Sequence, residues 1–207
     1  MKRNWKDIKW IFEPNGALRD IYVQEVSLND WEKLIDLINE KYKVNYGKIN
    51  QINKEYVIEY LTDEIGEIEG KSASIFLGEI RLNCHFFLKD QIEFDIDPKE
   101  VNSIEDFELI ENFMVDVSKS IDNQISLTDE NDPKFPLIKI DSNRGINKVL
   151  TEAEVKKYWG NPNTFMSKLK FFKVKMEMKL MQDRFKEKIL NSACRPYNST
   201  KKDENVW

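Results

Sequence analysis

The chain has 207 residues, 41% hydrophobic and 33% charged, with only 7 Gly and 6 Pro. That composition excludes disordered, collagen-like and purely coiled-coil proteins, and it allows a sizeable core without disulfide or metal. The formal charge is -5, which argues against a surface built throughout to neutralise phosphates.

The charge is unevenly spread. Residues 165–207 carry 11 Lys and Arg against 5 Asp and Glu, a balance of +6 within the total of -5, so residues 1–164 carry -11. An acidic body followed by a basic C-terminal segment is the expected picture, with the basic segment packed on the body. The opening Met1-Lys2-Arg3-Asn4-Trp5 leads into no apolar stretch of signal-peptide length, and no run approaches a membrane span. Cys84 and Cys194 lie in unlike contexts and form no disulfide framework. A cytoplasmic protein is expected.

In chain order, residues 9–13 and 18–23 read as two strands of a hairpin joined by Pro14-Asn15-Gly16, because Asn-Gly tolerates positive φ. Ser27 followed by Asp30 has the spacing of a capping box, and Val26 with Trp31 that of a hydrophobic staple. Trp31, Leu34, Ile35, Ile38 and Tyr42 then repeat at helical spacing, which predicts a helix to about Lys41. Tyr56, Val57, Tyr60 and Leu61 favour a short helix after Asn53. Between Ser74 and Asp97 the pattern changes to alternation, predicting strands over 75–77, 80–87 and 92–96 at the centre of a mostly antiparallel sheet.

Ser103 with Asp106 repeats the capping arrangement before a long apolar stripe that predicts a helix over 104–121. Strands are expected over 124–127 and 137–140, and Thr151 with Glu154 starts a short helix toward Trp159. Residues 168–180 alternate as a strand would, yet their Lys, Met, Glu and Leu favour a helix. The expected fold class is therefore α+β: a mostly antiparallel sheet packed against helices over residues 1–160, a long basic C-terminal helix over 161–194, and a flexible tail over 195–207.

The residues with most chemistry fall on the central hairpin. Alternation places Arg81, Asn83 and His85 on one face of one strand and Glu93, Asp95 and Asp97 on one face of the next. A loop at Leu88, Lys89 and Asp90 would oppose His85 to Glu93, Asn83 to Asp95 and Arg81 to Asp97, giving each a complementary neighbour. One reading is a wet, charge-paired sheet face that binds a partner. The other is an oxygen-rich metal site of Glu93, Asp95 and Asp97, with His85 as ligand or base. No cofactor is expected: no phosphate-binding glycine loop occurs, and two cysteines with one histidine make no zinc finger. Cys84 falls on the face opposite His85, which excludes a Cys/His nucleophile. The lysines and phenylalanines of residues 168–188 suggest helix anchoring rather than nucleic-acid binding.

Asp95-Ile96-Asp97-Pro98, the helix containing Phe113-Met114, and Ile125-Ser126-Leu127-Thr128-Asp129-Glu130-Asn131 together resemble small bacterial α+β proteins encoded beside secreted polymorphic toxins as their immunity proteins. Trp10-Ile11-Phe12 with the strand over 18–23 is consistent with that resemblance. It implies a non-catalytic binding protein that neutralises a basic toxin domain through an acidic surface, with no family catalytic residue to carry over. The alternative is a metal-dependent hydrolase or nuclease built on the acidic strand and His85.

Overall fold

The computed structural model describes residues 3–159. Asn4 caps a short helix, α1 (Trp5–Ile8), by accepting from the Lys6 N–H, and a 3-10 turn (Lys9–Phe12) continues it. Ile8, Ile11 and Phe12 are buried, a spacing that serves a helical face rather than an alternating strand. Residues 9–13 are thus helical, and the predicted N-terminal hairpin does not form. The strand after the turn does: β1 (Arg19–Gln24).

Local signals account for most of the elements that follow. Ser27 and Asp30 form the full capping box of α2 (Leu28–Lys41), each side chain accepting from the other's backbone N–H. A three-residue strand, β2 (Lys43–Asn45), was not expected. Asn53 caps α3 (Lys54–Thr62) by accepting from the Tyr56 N–H. Then come β3 (Ser72–Leu77), β4 (Ile80–Leu88) and β5 (Gln91–Ile96).

Ser103 caps α4 (Ile104–Ile121), while the Asp106 carboxylate accepts from the Asn102 N–H. β6 (Ile125–Asp129) and β7 (Pro136–Asp141) overlap the strands expected over 124–127 and 137–140, and a further short strand, β8 (Ile146–Val149), follows. The chain divides into two units, Met1–Glu152 and Ala153–Trp207. Helix α5 (Glu152–Trp159) follows Thr151 directly, as expected. The long helix over 161–194 and the tail over 195–207 lie outside the described residues.

Among the described residues, one eight-stranded antiparallel sheet runs in the order β2-β3-β4-β5-β1-β6-β7-β8. The fold is α+β. Its first strand is inserted at the centre, with Ile21 opposite Phe94 on one side and Leu127 on the other. One face of the sheet is apolar: Ile21, Val23, Leu82, Cys84, Ile92, Phe94, Ile125 and Leu127 are all fully buried. Helix α4 sits on it through Phe113, whose ring meets Phe94 edge-on at 5.2 Å, and α2 through Trp31, 5.6 Å from Phe86. Such pairs add about 0.5–1.5 kcal/mol beyond area burial. Tyr42 joins the two helices, its ring 5.3 Å from Phe113 and its hydroxyl donating to Asp116 at 2.6 Å. No helix among the described residues is long and apolar enough to cross a membrane.

Candidate functional site

The opposite face of the sheet is polar because alternation leaves it so. On β4 it carries Arg81, Asn83 and His85; on β5, Gln91, Glu93 and Asp95; on β1, Asp20, Tyr22 and Gln24. The register between β4 and β5 opposes Asn83 to Asp95 and His85 to Glu93, as the polar pattern requires. The loop differs from expectation. Leu88 pairs with Gln91, leaving a two-residue turn at Lys89 and Asp90, and a bulge between His85 and Leu88 absorbs the extra residue. Phe87 and Leu88 emerge from that bulge exposed, at 62% and 49%.

Asp95 is the hub of the face. One carboxylate oxygen accepts from Asn83 at 2.7 Å and the other is 2.5 Å from His85 Nε2. The Phe87 ring stacks on the imidazole at 4.8 Å and 8°. Burial alone would raise the Asp95 pKa, but the hydrogen bonds from His85 and Asn83 outweigh it and hold the carboxyl below its usual range. The same bond, with the negative charges of Asp95, Glu93 and Asp20, holds the His85 imidazole above its ordinary value against the opposing effect of burial. Glu93 is pushed up by burial and by the nearby Asp20 charge.

Asp20 and Tyr22 were not singled out in the sequence, yet both belong to this face. Asp20 is 4% exposed and lies opposite Asp95. Its Oδ2 accepts from the Tyr22 hydroxyl at 2.8 Å and from the Asn131 N–H at 2.6 Å. Burial raises its pKa, and Glu130 and Asp95 add to the rise against those two hydrogen bonds. Burial and the Asp20 carboxylate raise the Tyr22 phenol as well. A signal for them existed: Asp20, Tyr22 and Gln24 alternate with Ile21 and Val23 as the acids of β5 alternate with Phe94 and Ile96.

Two expected members stand apart. β5 ends at Ile96, so Arg81 has no strand partner at Asp97. Arg81 is exposed and its N–H donates to Glu100 at 2.7 Å. The Asp97 carboxylate accepts from the Lys99 N–H at 3.0 Å, capping a 3-10 turn (Pro98–Glu100) in which a proline ends the strand. Among the described residues no group of three or more His, Cys, Asp or Glu side chains is arranged to hold a metal ion. Cys84 is fully buried on the apolar face, and burial raises its thiol pKa far above the reactive range. Cys194 and the lysines of residues 168–188 lie outside the described residues.

The arrangement gathers three carboxylates and one imidazole on a largely buried sheet face, strand by strand. Comparison with known proteins returned no match: no family model fits the chain, and no curated protein and no solved structure is significantly similar to it.

Proposed function

We propose that this chain is a non-catalytic cytoplasmic binding protein whose polar sheet face engages a basic partner, in the manner of an immunity protein that neutralises its toxin. The observation that carries the reading is the convergence of Asp20, Glu93 and Asp95 from two neighbouring strands on the face opposite α2 and α4. Two of these carboxyls, Asp20 and Glu93, are harder to ionise than free ones, chiefly because of burial, with the charges of Glu130 and Asp95 adding to the rise at Asp20 and the Asp20 charge adding to that at Glu93. A cationic surface would relieve that repulsion, and the excess of negative charge over residues 1–164 would steer it in.

Binding of a fluorescent octa-arginine peptide, as a probe of a basic surface, tests the reading by anisotropy. Affinity should fall at least about tenfold between roughly 50 and 500 mM NaCl, because the Debye length shrinks across that range. The Glu93→Gln/Asp95→Asn variant should bind several-fold more weakly than wild type. Salt-insensitive binding, or a double variant equal to wild type, removes this face from the proposal.

A second reading rests on the 2.5 Å contact between His85 and Asp95. Such a pair can move a proton, the acid–base element that a metal-dependent hydrolase or nuclease using Glu93 and Asp95 would need. Thermal unfolding with EDTA and then with Mg²⁺, Mn²⁺ or Zn²⁺ decides it. A metal-dependent rise of several degrees that Asp95→Ala abolishes supports the reading. No rise with any of the three metals sinks it.

A further inference from the structure

His85 is the sole histidine of the chain, and it stands among acids. On its own strand Arg81, Asn83 and Phe87 flank it, and Ser72 of β3 lies opposite on one side. On the other side lie Glu93, directly opposite, and Asp95, bonded to its Nε2. One strand further, β1 adds Asp20 and Tyr22. Three carboxylates therefore lie on one side of the imidazole, and among these neighbours the only cation is Arg81, exposed toward the far end of β4.

We propose that His85 is a proton switch for the polar face: protonated, it cancels one of the charges of Asp20, Glu93 and Asp95; deprotonated, it leaves the face one unit more negative and tighter for a cationic partner. The inference rests on the reading of this face as a surface for a basic partner, and it adds the regulation of that surface. A lysine or arginine here would keep its charge throughout, whereas imidazole releases a proton within the physiological range. The geometry lets it do so in place. With the Nε2–H donated to Asp95 and the ring held flat on Phe87, the neutral and charged forms make the same contacts and differ by the proton on Nδ1. The neighbouring acids hold the imidazole above its ordinary 6.5, so it gives up its proton at a higher pH than a free imidazole does.

Two measurements test the switch. The single imidazole is titrated by NMR in the intact protein, where its signals need no assignment by mutation. Octa-arginine binding is then followed at about pH 6 and about pH 8.5 at one ionic strength, for wild type, His85→Gln and His85→Arg. One added charge a few ångströms from a bound cation predicts affinity about fourfold tighter at the higher pH. His85→Gln, which keeps a donor for Asp95, should lose that dependence, and His85→Arg should bind weakly at both values.

A titration midpoint at or below 6.5 overturns the proposal without any variant. So does salt-sensitive binding that is equal at both pH values, or a dependence that survives in His85→Gln; the basic-partner reading stands in those cases. Absence of octa-arginine binding at either pH and at low salt overturns the switch and the reading beneath it together.

Discussion

At the entrance to β1 a guanidinium is buried with its partners already in place. Arg19 is 3% exposed, and its Nε donates to the Ile11 carbonyl at 2.6 Å. Its terminal nitrogens reach the carbonyls of Leu18 at 2.9 Å and Glu13 at 3.2 Å, with Asp129 at 3.5 Å from Nε. One side chain thus fastens the loop that the sequence suggested was a hairpin turn, which turns on Gly16 at φ +87°. Burying a charge is costly unless its donors are satisfied, and here carbonyl oxygens satisfy them. Arg19→Met keeps the apolar stem and removes the donors, stranding those carbonyls. Urea unfolding should show a loss of about 2–4 kcal/mol. A loss below about 1 kcal/mol would mean that the loop is held by Ile8, Ile11 and Phe12 alone.

Elements defined by their own residues were legible, and those defined by distant ones were not. Ser27, Asn53 and Ser103 each announced a helix because a cap lies within three residues of the N–H that it serves. Ser27→Ala should cost about 1 kcal/mol in urea unfolding, since it removes one half of a box whose other half, Asp30, also accepts from the Ser27 hydroxyl at 2.7 Å. A neutral substitution would show that the Val26 and Trp31 burial alone fixes the start of α2. The hairpin of β4 and β5 was legible in register for the same local reason, its polar residues at period two.

The placement of β1 was not legible, because both of its partners are remote and a strand's alternation names a face but no neighbour. That is why Asp20 and Tyr22 were missed while Asn83, His85, Glu93 and Asp95 were found. Asp97 does not pair with Arg81 as expected for a related reason: alternation continues through it, but the ladder ends at Ile96, ahead of Pro98. β2 and β8, at three and four residues, are too short for a period to show.

On the scale of the whole first unit, stability and function pull on the same carboxyls, and pH separates them. His85 has a raised pKa in the folded state, so its contribution is fully present below its ordinary 6.5 and is lost as pH rises through the folded value. Asp20, Glu93 and Asp132 are raised as well, chiefly by burial. The folded state binds their protons more tightly than the unfolded state does, so ionising them also costs stability as pH climbs above about 4. The opposite sign belongs to Asp95 and Asp30, whose lowered values give stability that is lost only as pH falls through them, below 3.8. The two groups bracket a maximum at about pH 4. Thermal unfolding should peak at about pH 4 and fall by a few degrees toward pH 8, at the roughly 2–4 °C per kcal/mol expected of a chain this size. His85→Gln should flatten the part of that fall above pH 6.5 and leave the part below it. A midpoint that rises from pH 5.5 to 8 would show that burial does not load the polar face with charge, and the attraction for a basic partner would lose its physical source.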